Sequence, residues 1–487
     1  MYFNDGINPN EIGDFEVVEH EGKLHVFYLT LPSHDRIGHL VSDNGIEWTE
    51  LPPALFTGNP GDFDGDQIWT PGIFKNGSKW FMLYTGNERN GKIQRIGLAT
   101  SEDLMKWEKY SGNPVISPDK RWYEAEQTGR FRIDWRDPHV VYQDGLFHAF
   151  ISARENVGTL NRRGCAAYFV SADGYKWDAR PPACAPRTGF DFECPSVCEI
   201  RNRFYMFAIL GGHDRMVYRI AEKVEGPYRR PFDDSLTPGK NKSVRPVFWK
   251  GQTHLMHWCR GPRDWDGLFP HYAAMGSPKL AQVEADGSLR VESFDWSPLY
   301  SGNSISLCNT RNASSYYGKW KSASDSSFVA EVEEGYAGHL SKKEFKDFEI
   351  NAEIKLDENG APAEFGIAIR TDEEGDTGIF LHCVPSRNIV ELVRVILNRP
   401  YGPESLTRSR TVLQSFHMHV SEDGCYKMRA VAFGPSVEFN LNGRLVLQFF
   451  TMPDRSGKAG VFIENGKAVF KDISIQPIRE PVCNYLQ

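Results

Sequence analysis

Short apolar runs, each broken by a Gly or Asn turn, recur at an uneven spacing along roughly the first three hundred residues. The first set is Gly13-Asp14-Phe15-Glu16-Val17-Val18, then Leu24-His25-Val26-Phe27-Tyr28, then Ile37-Gly38-His39-Leu40-Val41-Ser42, leading through Asp43-Asn44-Gly45 to Trp48. The second runs Thr70-Pro71-Gly72-Ile73-Phe74, Trp80-Phe81-Met82-Leu83-Tyr84 and Ile96-Gly97-Leu98-Ala99, ending at Trp107. The third opens at Asp137-Pro138-His139-Val140-Val141 and ends at Trp177, the fourth opens at Glu193, and a looser fifth opens at Val244. Each copy is a short strand, a turn, an aromatic-rich strand and a further strand, which predicts blades of four-stranded sheet. Five copies predict a five-bladed β-propeller, and a β-sandwich with coincidental spacing is the competing reading. Inner strands of a propeller begin around a central channel, so residues at equivalent starts face one another. Asp14, Asp137 and Glu193 hold that place in the first, third and fourth copies, and Thr70 holds it in the second.

The pattern changes near Asn309. Asn309–Ser315 is polar and turn-rich and is read as a linker. Beyond it, Phe348, Ile350, Ala352, Ile354 and Leu356 alternate with Glu349, Asn351, Glu353 and Lys355, the period of a half-buried strand. Asn442-Gly443 between Val437-x-Phe439-x-Leu441 and Leu445-x-Leu447 is a hairpin signal. No long helical period is present. The chain therefore reads as all-β, a five-bladed propeller over residues 1–308 followed by a C-terminal β-sandwich over 309–487. The sandwich is expected to brace the propeller or to form an oligomer contact.

Composition narrows the partners. Aromatic residues make up 13% of the 487, with 12 Trp, suiting a cleft with flat walls for sugars. A net charge of -8 argues against a nucleic-acid surface, and no apolar run reaches the length of a membrane helix. The start, Met1-Tyr2-Phe3-Asn4-Asp5-Gly6, has neither a basic nor an apolar leader region. Nine cysteines without CxxC spacing read as free thiols, and a cytoplasmic protein is expected.

Three carboxylates converging on one channel suit glycosyl transfer: one attacks the anomeric carbon, and another protonates the leaving oxygen and later activates water. Asp14 is assigned as nucleophile and Glu193 as acid/base. Phe192 and Cys194 beside Glu193 make a dry setting expected to raise its pKa. Asp137, next to Arg136, is expected to stay ionised and to hold the sugar hydroxyls. Asp14 could instead be a turn residue, with Asp5 as nucleophile. Trp69, Thr70, Arg136, Cys194, Trp258 and Arg260 are expected to bind substrate, with core packing the alternative for each Trp. Asp62-Phe63-Asp64-Gly65-Asp66 resembles part of a calcium loop, but its twelfth position is Ile73 where a bidentate Glu is needed, so a flexible acidic loop is expected and no metal. His213-Asp214 is read as a loop segment.

These segments, in order, resemble glycoside hydrolase family 32, the invertases, fructan hydrolases and fructosyl transferases. Gly38-His39-Leu40-Val41-Ser42 with Trp48 and Glu50-Leu51-Pro52-Pro53-Ala54-Leu55, then Tyr84-Thr85-Gly86, Trp135-Arg136-Asp137-Pro138 and Glu193-Cys194-Pro195 carry the likeness. The resemblance implies a propeller plus sandwich, retention of anomeric configuration, no metal or organic cofactor, and Asp14, Asp137 and Glu193 as nucleophile, stabiliser and acid/base. It also implies an oligo- or disaccharide substrate with a terminal β-fructofuranosyl unit, cleaved from the chain end, with water or a second sugar as acceptor. Two segments depart from the family. Its Asn-Asp-Pro-Asn-Gly is here Ile12-Gly13-Asp14-Phe15-Glu16, and its Ser-Gly segment is Ile68-Trp69-Thr70-Pro71-Gly72. The sugar is therefore left open between fructose and another furanose such as arabinose. An inverting enzyme resembling family 43, acting on arabinosides or xylosides, is one rival; a sugar-binding propeller without catalysis is the other.

Overall fold

In the computed structural model, residues 11–88, 93–126, 133–211, 215–236, 241–260, 273–357, 363–398, 407–450, 456–480 and 484–485 are described. Among them the regular structure is β, with three single-turn 3-10 segments, and no helix is long and apolar enough to cross a membrane. Five separate antiparallel sheets follow in chain order, each opening on an inner strand: Glu11–His20, Gln67–Asn76, Arg136–Gln143, Phe192–Ile200 and Asn241–Trp249. Each inner strand packs on the next, and the fifth packs on the first, so the ring closes. This is the expected five-bladed propeller. Close approach in the ring has a residue-level cause at Gly72, where an added Cβ would lie 2.3 Å from the Pro138 carbonyl oxygen.

The blades are not equal. The fourth sheet has three strands and the fifth has five, while Asn484–Tyr485 returns to pair in parallel with Thr49–Phe56 at the outer edge of the first blade. The polar turns leading to Trp107 and Trp177 are Asx turns. Asp103 accepts the amides of Met105 and Lys106, Asp173 accepts those of Tyr175 and Lys176, and each indole N–H closes the turn on a carbonyl.

The second domain is a sandwich whose two faces share long strands, Ser327–Ser341 and Lys458–Pro477, that cross from one layer to the other. Phe348, Ile350, Ile354, Phe365, Ile367, Leu381, Met428, Phe439, Val461 and Phe470 fill the space between the layers. Ile305–Ser306 already pairs with Ser474–Ile475, and Ala313–Tyr316 is a strand paired with Gly338–Ser341. The segment expected as a linker thus runs into a strand of this sheet. The domains meet across a buried polar seam. Lys279 bonds Glu438 at 2.8 Å with both side chains at most 1% exposed, Asn440 donates to Ser293, and Trp296 packs on Phe433.

Candidate active site

All five inner strands break register at the same level. Gly13-Asp14, Thr70, Asp137-Pro138, Cys194-Pro195 and Ser243-Val244 are the unpaired residues of five β-bulges. Asp137, Cys194 and Ser243 take positive φ of 60°, 50° and 50° there. A bulge re-aims a side chain that regular alternation would send into the blade interior. The three acids do not occupy equivalent positions, as the repeat register suggested. Asp14 is the second residue of its bulge, Asp137 is the first, and Glu193 is the last paired residue before its own, in the place Arg136 holds in the third blade. They converge nonetheless. A carboxylate oxygen of Asp14, one of Asp137 and the Cys194 sulfur lie within 4.8 Å of one another, and the Asp14 carboxyl feels the charges of both Asp137 and Glu193.

Each acid is held differently. The Trp258 indole donates to Asp14 Oδ1 at 2.8 Å. Burial and the neighbouring Asp137 nevertheless push the Asp14 carboxyl up to about 6. Asp137 Oδ2 accepts the amide of Cys194 at 3.2 Å, its own amide donates to Thr85 Oγ1 at 3.1 Å, and its Oδ1 is buried without a protein partner. Glu193 accepts from Arg136 Nη2 at 2.5 Å. Burial alone would raise Glu193, as the flanking Phe192 and Cys194 suggested. The net direction is downward, because Arg136 and a hydrogen bond from Asp191 favour its ionised form.

Arg136 is therefore not chiefly a partner of Asp137. It is buried and donates to Asp134 at 2.7 Å and Glu193 at 2.5 Å, with Asp137 and Asp191 each at 3.5 Å. Further along the inner strands, Glu16, His139, Ser196 and Arg245 are buried. Arg245 donates to the carbonyls of Phe15 and Pro195, and Glu16, 3.9 Å from its Nε, is pushed up to about 7 by burial. Glu16 thus faces Arg245 in the interior.

The remaining expected residues divide. Thr70 is fully buried, its hydroxyl has no protein partner, and no solvent reaches it, so this arrangement does not offer it to a sugar. Trp69 is partly exposed beside His34, with its indole bonded to Gln67. Trp258 lies in the core between the first and fifth blades and orients Asp14, so it is not a free flat platform. Burial raises the Cys194 thiol well above its usual range, and it stays protonated. With that thiol protonated, Asp14, Asp137 and Cys194 are a poor cation seat. The other cluster with ligand-like spacing, Glu364, His382 and Glu464, already has the Arg410 guanidinium bonded to His382 and Glu464. Arg260 ends a strand but its side chain, like Asp5 and His213-Asp214, lies outside the described residues. The Asp62–Asp66 loop is pinned: Asp64 is buried, ion-paired to Lys109 at 2.6 Å and bonded by Tyr84 at 2.9 Å.

Sequence reading missed Asp134 and Asp191, each two places before a named residue. Both precede their strands, and the i, i+2 spacing from Arg136 and Glu193 was the available signal. It also missed Asn87 and Gln94, whose amides retain buried atoms without protein partners next to Trp135, whose amide donates to Gln94.

A model of the glycosyl hydrolases family 32 N-terminal domain matches residues 10–341, and one of a 3-keto-alpha-glucoside-1,2-lyase-like domain matches residues 295–476. A levanase of Bacillus subtilis (strain 168) is 23% identical over 510 residues, covering 95% of this chain and 68% of its own length. A fructan 1-exohydrolase of Triticum urartu is 28% identical over 206 residues, which are 40% of this chain and only 31% of the wheat protein. The crystal structure of fructan 1-exohydrolase IIa from Cichorium intybus superposes with a TM-score of 0.70 at 17% identity, covering 99% of this chain and 97% of that one. A Bombyx mori GH32 beta-fructofuranosidase gives 0.64 at 17%, covering 96% and 92%. At such identities the structural likeness speaks for the fold.

Proposed function

The chain belongs to glycosyl hydrolase family 32, a glycoside hydrolase of fructofuranosidase type, and on that premise we propose that it removes terminal β-fructofuranosyl units, or a closely related furanosyl sugar, with retention of configuration. The observation carrying this reading is the gathering of Asp14, Asp137 and Glu193 at the bulges of three different blades. Asp14, oriented by Trp258, attacks the anomeric carbon as its carboxylate. Glu193 serves the departing oxygen and then the incoming water or sugar hydroxyl. Asp137, between the two, steadies the positive charge that develops on the ring. The names of the levanase and fructan exohydrolase relatives favour a fructan.

The test is a panel of sucrose, inulin, levan and nitrophenyl β-furanosides, with Glu193→Ala as control and NMR of the product anomer in the first minutes. Release of the β anomer, lost in Glu193→Ala, is the expected result. An inverted product would place the chain with the family-43-like mechanism. No turnover of any member by folded protein would make it a binding propeller.

A further inference from the structure

One guanidinium in this site faces four carboxylates. Arg136 lies 2.7 Å from Asp134, 2.5 Å from Glu193, and 3.5 Å from both Asp137 and Asp191. A single positive charge cannot offset four negative ones, three of them largely buried and Glu193 partly exposed, so like-charge repulsion keeps a proton on at least one of them. Asp191 is the best placed to keep it. Its Oδ2 is at the longer distance from the same Nη2 that holds Glu193, and its Oδ1 is buried with no hydrogen-bond partner. The space for that oxygen exists only because residue 211 is glycine, where a Cβ would fall 1.2 Å from it.

We propose that Asp191 and Glu193 work as one proton-holding pair on Arg136, with Asp191 storing the proton that Glu193 hands to the departing sugar oxygen. The inference rests on the glycosidase reading for Glu193's role. As the glycosidic C–O bond breaks and its electron pair goes to oxygen, Glu193 gives that oxygen a proton and takes one from Asp191. When water attacks the glycosyl intermediate, its proton passes to Glu193 and back to Asp191, so the pair ends as it began. The direction of titration agrees: Asp191 is pushed up to about 7, first by burial and then by Glu193, whereas Glu193 is held down. The charged groups acting on Asp191 among the described residues are Glu193, Arg136 and Asp134, and Lys242 of the fifth blade acts on Glu193. Asp191 touches no reacting atom in this scheme and is a positioning residue.

Leaving-group dependence separates this from a structural role. Asp191→Asn keeps the shape and can donate a hydrogen bond but holds no transferable proton. Its kcat/KM on an alkyl β-furanoside is expected to fall by about 100-fold or more, the scale of general acid catalysis, and on the nitrophenyl furanoside, whose leaving group needs little protonation, by less than about 5-fold. Equal losses on both substrates, or no loss on either, overturn the proposal. A second measurement needs no turnover: ¹³C-carboxyl NMR of Asp- and Glu-labelled wild-type protein, with Glu193 assigned through Glu193→Gln. Asp191 is expected to titrate close to neutrality with Glu193 ionised well below it; Asp191 ionised throughout the range above pH 5 overturns the pair even if no furanoside is cleaved. Wild-type protein inert on the whole panel, with the paired titration intact, refutes the glycosidase reading alone.

Discussion

Replacing Trp258 by Phe tests the assignment of Asp14 directly. The ring keeps most of its packing between the first and fifth blades, and only the indole N–H donated to Asp14 Oδ1 at 2.8 Å is removed. Hydrogen bonds to charged groups contribute about 1.5–3 kcal/mol. At 1.36 kcal/mol per pKa unit, losing this one raises Asp14 by about 1–2 units. The carboxyl already stands at about 6, so the variant's would lie at about 7–8. A nucleophile acts only when ionised, so the acid limb of kcat/KM against pH reports this group in the free enzyme. The wild-type limb is expected near 6 and the variant's displaced to higher pH by about 1–2 units, a loss of about 10–100-fold at pH 5 that largely closes above pH 8. The assay is initial rates on the best furanoside of the panel from pH 4.5 to 9, with a melting curve at each pH to exclude unfolding. A uniform loss at every pH, with the limb unmoved, would mean that Trp258 only packs and that Asp14 is not the ionising nucleophile.

Two further outcomes concern stability. Glu16 is buried, and its pKa in the fold is raised from 4.5 to about 7. The folded state therefore binds this proton more tightly than the unfolded chain, and stability present at low pH is lost as pH rises from about 4.5 to 7, by about 3 kcal/mol in all. Glu16→Gln should equal wild type at pH 4 and exceed it at pH 8, read from guanidinium midpoints; identical pH dependence in both proteins would contradict this. At the domain seam, Glu438→Ala strands Lys279, which is fully buried, and should cost about 3–5 kcal/mol by calorimetry. The double change Lys279→Met with Glu438→Leu should cost far less, and equal costs for the two would show that the ion pair itself stabilises the seam.

The blades were legible because each carries its own period of two and its own turn residues, and the acids at blade starts followed from that repetition. Three things were not. The bulges leave no local mark, since Asp137 and Cys194 reach positive φ without a glycine. The sign of the Glu193 shift depended on which neighbour won. Phe192 and Cys194 are adjacent in sequence, but Arg136, 57 residues away, is adjacent in space and carries a full charge. Asp191 was readable by its i, i+2 spacing from Glu193, yet its setting depends on the room left by Gly211, just past the end of the strand Arg203–Leu210. Asn309–Ser315 reads as polar because the strand it leads into, Ala313–Tyr316, lies at a sheet edge, paired on one side to Gly338–Ser341.

The five aligned bulges have a consequence for how such a molecule can change. Asp14, Thr70 and Asp137 sit in register breaks and have no ladder partner, whereas Glu193 is still paired, with Ile209. Exchanging one of those three would leave the ladder pairs on either side of it in place, so altered chemistry and retained folding should be separable traits at these positions.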